Sequence, residues 1–302
     1  MQTEKNTENS TRISLIGKFH HSYDEEYIAR SFEMLGLEVQ RISEHLITHQ
    51  ICGLIDGFDP DFVLWTKLSV SEPSKVRDFM KKYKTVCWVF DLYFDYQREY
   101  RLKTHPAFTA DYVFTTDNGH QKQFEALGIN HRCVRQGIWH EQCYLEPINA
   151  RDEIVFVGSE NLHNKDRQRQ LEFIQRNYPV EFRWYGRFNT HDVREERLNQ
   201  LYSSAKIVIG DSVYSPFYWS NRVVETLGRG GFLIHQEVEG IKEEYPFLIT
   251  YKRGDFNNLK DIINHYFLNE QERQSIIKKN LEWVKNNYTS EKKCQEILNF
   301  IL

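Results

Sequence analysis

Short runs of β-branched and aromatic residues alternate along this chain with stretches whose apolar positions recur every three or four residues. A strand pattern followed by a helix pattern, repeated, is what βα units and a parallel sheet require, since parallel neighbours need a crossover between them. In the first half the pattern predicts strands at Arg12–Phe19, Glu38–Ile42, Asp61–Thr66, Thr85–Asp91, Asp111–Thr116 and Arg132–Gln136. Helices are predicted near Asp24–Leu35, Pro73–Tyr83 and Asn118–Leu127, the last closed by Gly128 where a left-handed residue ends a helix. Gly137–Arg151 shows no period and contains Pro147, which marks a linker. A second series follows, with strands at Glu153–Gly158, Phe182–Tyr185, Lys206–Gly210, Gly231–His235 and Phe247–Tyr251 and helices near Asn164–Asn177, Val193–Ser203, Asn221–Leu227 and Phe256–Phe267. Asn269 and Glu272 make a capping-box-like start to a helix carrying Ile276, Ile277, Leu281, Val284 and Tyr288, and Glu291–Leu302 is a last helix. The expected fold class is α/β, two doubly wound Rossmann-like domains facing across a cleft, because ligands bind outside the carboxyl ends of parallel strands. Residues 1–11 are an expected disordered tail, 12–142 the first domain and 143–302 the second, whose terminal helices can reach back to the first.

Composition narrows the classes without adding a site. With 40% apolar and 27% charged residues in 302, the chain has an ordinary globular make-up. No apolar run approaches the ~18 residues of a membrane helix, so no membrane insertion is expected. Met1 to Thr11 lack the apolar core and cleavage site of a secretory leader. The cysteines (Cys52, Cys87, Cys133, Cys143, Cys294) form no CxxC pair, and three lie in or beside apolar stretches, which fits a reducing, cytoplasmic setting. The net charge of −4 falls in the first half: residues 1–150 carry 17 basic and 21 acidic groups, residues 151–302 carry 22 of each. Neither half is basic, so a nucleic-acid contact would depend on a local groove.

Several motifs fail on order or spacing. Gly228–Gly231 (GRGG) ends a helix and leads into the strand FLIH, the reverse of the order in a dinucleotide fingerprint. There is no GxxxxGK(S/T) and no GxSxG. His45 and His49 have the i, i+4 spacing of a zinc helix, but Leu46 stands where such a helix carries its glutamate. Asp59-Pro60-Asp61 precedes a strand instead of following one, and turn chemistry explains it. No metal site is expected.

The informative run begins at Leu201: LYSSAKIVIGDSVYSPFYWSNRVVETLGRGGFLIHQEVEG. A helix ends, the strand KIVIG delivers a polar turn at Asp211-Ser212, and an aromatic loop leads to Ser220 or Asn221 as N-cap of a short helix. That helix presents Arg222 and Glu225 in its first turns. Unpaired N–H groups and the positive helix end attract phosphate, and a carboxylate just inside could accept from a ribose diol. The plain alternatives are an acid complementing the helix dipole and an Arg222–Glu225 pair at i, i+3; Tyr218 and Trp219 are either core aromatics or a platform for a base or sugar.

The run LYSSAKIVIGDS followed by NRVVETLGRGGFLIHQEVEGIKE resembles the nucleotide-binding half of the GT-B glycosyltransferases, in particular the family-1-like domain of spore-maturation-type proteins, over residues 152–290. In that family an R-x-x-E and a small-residue turn after it bind the nucleotide of a nucleotide-sugar. Arg222 and Glu225 match the first, Gly228–Gly231 the second. The resemblance implies that Gly158-Ser159, in FVGSENLHNKDRQRQLEFI, brings backbone N–H groups to a diphosphate, with Arg167 or Arg169 on the next helix, and that WYGR (Trp184–Arg187) is the second strand with its turn at Gly186. Gly158, Ser159, Arg167, Gly186, Ser220, Asn221, Arg222 and Glu225 are thus the expected nucleotide-sugar site. Retaining members commonly carry an acidic residue eight positions before the ribose-binding glutamate; here that position is Phe217.

In the first domain the strand ends offer Gly17, Lys18, His20 and His21, then Thr66-Lys67, Asp91 and Asp117. By resemblance this domain holds the acceptor, and Asp91 or His20 could orient or deprotonate its hydroxyl; each could equally be a turn acid or a solvated imidazole. The expected activity is transfer of a hexosyl or pentosyl group from a nucleotide diphosphate donor, a UDP-sugar, to a hydroxyl on a saccharide, a protein or modified DNA, with retention and without metal or other cofactor. Two alternatives stay open. One is a non-catalytic nucleotide-sugar-binding relative, suggested by Phe217. The other is a phage-type enzyme that glycosylates a flipped-out modified base in DNA, with Lys81, Lys82, Lys84, Arg98, Arg101 and Lys103 contacting phosphates.

Overall fold

The computed structural model describes residues 10–20, 23–67, 69–94, 99–147, 154–159, 165–186 and 193–302. Most of the expected tail, His21, Arg98, Arg187 and the end of the expected linker lie outside the described residues. Contacts divide the chain into two compact units: Met1–Thr115 with His120–Val134 and Cys294–Leu302, and Thr116–Gly119 with Arg135–Lys293. The change-over at Val134/Arg135 precedes the expected boundary by eight residues.

In the first unit, β1 (Arg12–Gly17), β2 (Glu38–Ser43), β3 (Phe62–Trp65), β4 (Lys84–Val89), β5 (Tyr112–Thr115) and β6 (His131–Cys133) form a parallel sheet in the order β2-β1-β3-β4-β5-β6. The chain lays β2 on one side of β1 and β3 on the other, so the winding reverses between β1 and β3. Alternate strand positions fill two apolar layers, as a sheet covered on both faces demands. Ile13, Leu15, Phe62, Leu64, Val86, Trp88 and Phe114 meet Phe32 of α1 (Asp24–Met34) and Ile297 and Ile301 from the chain's last segment. Ile16, Val63, Trp65, Cys87 and Val113 meet Ile51 and Ile55 of α2 (Thr48–Phe58) and Val76 and Met80 of α3 (Pro73–Met80). Helix α2 is absent from the pattern reading: Gly53 and Gly57 depress its helix propensity, and only Ile51 and Ile55 are buried, a two-residue stripe that packing stabilises. Gly128 closes α4 (Gln121–Ala126) with φ +72°, as expected.

In the second unit, β7 (Ile154–Val157), β8 (Phe182–Tyr185), β9 (Ile207–Gly210), β10 (Leu233–Gln236) and β11 (Ile249–Tyr251) form a parallel sheet ordered β11-β10-β9-β7-β8. Its winding reverses between β7 and β9. One face packs on α5 (Lys165–Asn177) and α9 (Phe256–Leu268) through Leu171, Ile174, Leu259 and Ile263. The other packs on α6 (Glu195–Ser204), α7 (Arg222–Gly228) and α10 (Glu270–Asn287) through Leu198, Tyr202, Val223, Leu227 and Val284, and the short α8 (Ile241–Glu244) adds Ile241. The capping box expected at α10 does not form. The Asn269 side chain donates back to the His265 carbonyl, and Glu272 meets the His265 ring. Helix α11 (Ser290–Ile301) ends the chain, with Cys294 onward in the first unit. Among the described residues no helix is long and apolar enough to cross a membrane.

Candidate functional site

The second sheet's winding reversal is where a doubly wound fold leaves a crevice at its strand ends. Strand β7 ends there at Gly158 and β9 at Gly210-Asp211. Asp211 is buried, and its two carboxylate oxygens take two arginines: Arg167 Nε at 2.6 Å on Oδ2 and Arg222 Nη1 at 2.8 Å on Oδ1. Arg167 also donates to the Ser159 carbonyl at 3.1 Å, and Arg222 Nε to the Val157 carbonyl at 2.9 Å. Both guanidinium groups lie over the Phe156 ring, at 5.6 and 4.9 Å from its centroid. Among the described residues two guanidinium cations thus face one carboxylate.

Glycine makes this geometry possible. A Cβ on Gly158 would stand 2.6 Å from Arg222 Nη2, so only glycine lets that guanidinium lie across the strand end. Gly186 (φ +89°) turns the chain after β8, and a Cβ there would press within 3.0 Å of the Gly158 carbonyl. Among the described residues Arg222 Nη2 has no hydrogen-bond partner. An anion over Gly158-Ser159 would meet it beside the Arg167 guanidinium.

Below the cluster lies a hydrogen-bonded floor. His235 is buried, and burial holds its imidazole down to about 4, so the ring is neutral. Nδ1 stands 2.6 Å from the Gln236 carbonyl, which only accepts, so Nδ1 carries the proton and Nε2 accepts from Ser212 Oγ at 3.2 Å. Ser212 Oγ accepts in turn from the Ser220 backbone N–H at 3.0 Å. The loop leaving β9 is thereby tied to the next strand.

The expected residues distribute as follows. Gly158, Ser159, Arg167 and Arg222 come together with Asp211, and Gly186 packs beneath. Asn221 and Glu225 form a neighbouring pair, Asn221 Nδ2 donating to Glu225 Oε1 at 3.3 Å. One expectation is corrected and one plain alternative falls away. Neither Ser220 nor Asn221 caps α7 with its side chain, since Ser220 Oγ turns instead to the Asp211 carbonyl at 3.4 Å. Arg222 pairs with Asp211 rather than Glu225, because Asp211 offers Nη1 both its buried carboxylate, at 2.8 Å, and its backbone carbonyl, at 3.2 Å. Arg169 is exposed. In the first unit Asp91 and His20 are both exposed, and His20 sits edge-on to Tyr23 at 5.9 Å.

Sequence reasoning missed two residues. Asp211 had the signal of an acid directly after a core strand, but nothing local shows that two arginines converge on it. Arg135 had none. It is buried, donates to Glu244 at 2.8 Å and to the Thr116 and Phe217 carbonyls, and lies 3.6 Å over the Trp219 ring. Trp219 is therefore a core aromatic and no platform. Phe217 adopts the left-handed region (φ +53°), a strain of about 1–3 kcal/mol, and its ring fills the space of an absent Gly240 side chain. Of the basic groups considered for DNA, Lys81 pairs with Asp78, Lys82 with Asp56, and Lys84 donates to the Ile301 carbonyl. Among the described residues no group of three His, Cys, Asp or Glu is placed to hold a metal ion.

Two doubly wound parallel-sheet units make up the architecture of the GT-B fold. Residues 162–299 match the family model described as glycosyl transferase-like. That match spans a little under half of the chain, and the chain as a whole has the GT-B fold. Among solved structures, sucrose-phosphate synthase from Thermosynechococcus elongatus superposes with TM-score 0.68 at 12% identity, covering 96% of this chain and 98% of its own. A glycosyltransferase from Rickettsia africae gives 0.66 at 12%, covering 97% and 98%. An E. coli protein described as "Trehalose-6-phosphate", bound with UDP-2-fluoro glucose, gives 0.64 at 9%, covering 96% and 98%. At these identities the likeness is one of fold. No curated protein matches the chain.

Proposed function

We propose that the protein transfers a sugar from a nucleotide diphosphate donor, a UDP-sugar, to a hydroxyl acceptor, with retention and without a metal ion. The observation that carries the reading is the Arg167–Asp211–Arg222 cluster beside Gly158, at the winding reversal of a glycosyl transferase-like domain. The diphosphate gains negative charge as the glycosidic bond breaks, and two guanidinium groups fixed by backbone carbonyls and Asp211 stabilise it without reorganising. They supply the countercharge that a metal would otherwise bring. Gly158 and Ser159 offer the diphosphate close backbone approach, and Glu225, half-buried beside Asn221, accepts from the ribose diol. In the first unit Asp91 and His20 follow the ends of β4 and β1 and serve the acceptor hydroxyl. The UDP-2-fluoro glucose held by the E. coli neighbour favours uridine as the base.

Isothermal titration with UDP and other nucleoside diphosphates tests this reading. Tight binding by the wild type should weaken at least tenfold in Arg222→Ala and Glu225→Ala while the fold persists by circular dichroism. Unchanged affinity in both folded variants would sink it. Product-anomer analysis by NMR decides retention.

A further inference from the structure

One loop of the second unit begins and ends on the cationic cluster. It leaves β9 at Asp211 and enters α7 at Arg222, so the two residues that pair there are its two ends. Between them the chain passes through Ser215, which is buried, and Phe217, whose backbone takes the left-handed region at φ +53°. A residue with a Cβ keeps that conformation only when its surroundings hold it. Two donors hold this one. The Phe217 carbonyl accepts from Arg135 Nη2 at 2.8 Å and from the Asn118 N–H at 3.4 Å. A Cβ on Gly119 would collide with the Pro216 carbonyl oxygen, so the segment that carries Asn118 also packs against the bend itself.

Arg135 is 6% exposed, and its fork reaches three segments far apart in sequence. Nε meets the two Glu244 carboxylate oxygens at 2.8 and 3.0 Å, Nη1 donates to the Thr116 carbonyl, and Nη2 donates to Phe217. All of these residues belong to the second unit, Thr116 and Asn118 within the short piece that it takes from between β5 and α4. An ion pair with Glu244 alone asks only for a cation, which a lysine supplies. Donating to a carboxylate and two carbonyls in fixed directions asks for the planar guanidinium. Two serines carry that fixity towards the cluster: the Ser220 N–H donates to Ser212 Oγ at 3.0 Å, and Ser220 Oγ donates to the Asp211 carbonyl at 3.4 Å.

We propose that Arg135 is a positioning residue for the cluster: by fixing the Phe217 carbonyl it sets the path of the loop from Asp211 to Arg222, and thereby the placement of Arg222 against Asp211 and Gly158. Once released, Phe217 relaxes out of the left-handed region and turns the chain differently three residues before Ser220 and five before Arg222. Arg135 touches no ligand in this scheme. It acts on binding through the two residues at the ends of the loop. The inference deepens the transferase reading by naming what shapes its donor site, and it rests on that reading only for the identity of the bound anion.

Two measurements on the intact protein test it: hydrogen exchange at the Ser220 amide, read by NMR against the amides of β9, and calorimetric titration with UDP. Arg135→Lys keeps a cation for Glu244 and gives up the two carbonyls. It should speed Ser220 exchange by roughly tenfold or more beyond β9 and weaken UDP binding by roughly tenfold or more. Glu244→Gln keeps an acceptor for Nε and removes the ion pair. It should lower the melting temperature yet hold Ser220 exchange and UDP affinity within about twofold of wild type, a separation that a purely structural Arg135 does not produce. Gly119→Ala disturbs the bend through Pro216 without touching Arg135 and should reproduce both losses, and it carries the test if Arg135→Lys does not fold. Unchanged Ser220 exchange in either folded loop variant, full UDP affinity despite faster exchange, or an equal affinity loss in Glu244→Gln would overturn the positioning role. A wild type that fails to bind UDP while Ser220 responds as expected would overturn only the donor reading.

Discussion

Replacing Asp211 by asparagine tests the energetics of the cationic cluster most directly. At full charge, opposite ions ~4 Å apart interact by about 4 kcal/mol at an effective dielectric of 20, and Asp211 serves two of them. Removing one partner of a buried pair costs about 3–5 kcal/mol. The lower end applies here, since Arg167 and Arg222 keep backbone acceptors and are 11% and 14% exposed. A loss of about 3 kcal/mol is roughly a 150-fold increase in the open population of the second unit. Native-state hydrogen exchange at the amides of β7 and β9 reads that population directly. UDP at 100 times its dissociation constant adds about 2.7 kcal/mol of protection to a binding protein. Compared at equal fixed UDP, Asp211→Asn should gain more protection than wild type, because the diphosphate replaces the missing negative charge. Wild-type exchange in the variant would refute the energetic argument. Equal protection by UDP would refute the idea that the diphosphate supplies negative charge to the same arginines.

Further outcomes follow from single contacts. Gly158→Ala should displace Arg222 and weaken UDP binding at least tenfold by calorimetry; a variant with full affinity would show that Arg222 has room to yield. Gly240→Ala places a methyl in the Phe217 ring at a left-handed φ of +82° and should lower stability by about 2–4 kcal/mol, whereas Gly36→Ala, with φ +88° and open space, should lose only about 1 kcal/mol; similar urea midpoints for the two would contradict this. His235 and His131 are both held by burial at about 4, below the ordinary 6.5, so the unfolded chain takes up protons that the folded one refuses. Stability is therefore level above pH 6.5 and falls towards pH 4, by about 2 kcal/mol per histidine at pH 5. Urea midpoints at pH 7 and 5 check the sign, and equal midpoints would refute it.

Architecture was largely legible because both sheets are parallel and covered on two faces, which makes every strand a short apolar run and every crossover an amphipathic helix. Helix α2 escaped because its stripe is two isoleucines among two glycines. The site was legible where its chemistry is local: Gly158, Gly186 and Arg222 stand at strand ends and a helix start that the motif marks. It was illegible where partners come from far along the chain. Asp211 meets Arg167 across 44 residues, and Arg135 holds the Phe217 carbonyl across 82. No periodicity encodes such separations; they follow from strand order, which the pattern leaves open. Trp219 shows the same limit, its role decided by a guanidinium that sequence spacing does not bring near.

The membership of Cys294–Leu302 in the first unit has a bearing on synthesis. Cys294, Ile297, Leu298 and Ile301 fill the layer beneath β1, β3, β4 and β5, and the Ile301 carbonyl takes Lys84. A nascent chain that has reached residue 293 holds every residue of the second unit but lacks nine of the first. The usual order, in which the amino-terminal domain is finished first, is thereby inverted: the early-made unit waits on the ribosome with an apolar face uncovered until the last segment emerges. Chaperone dependence during translation should accordingly concentrate on the half that is made first.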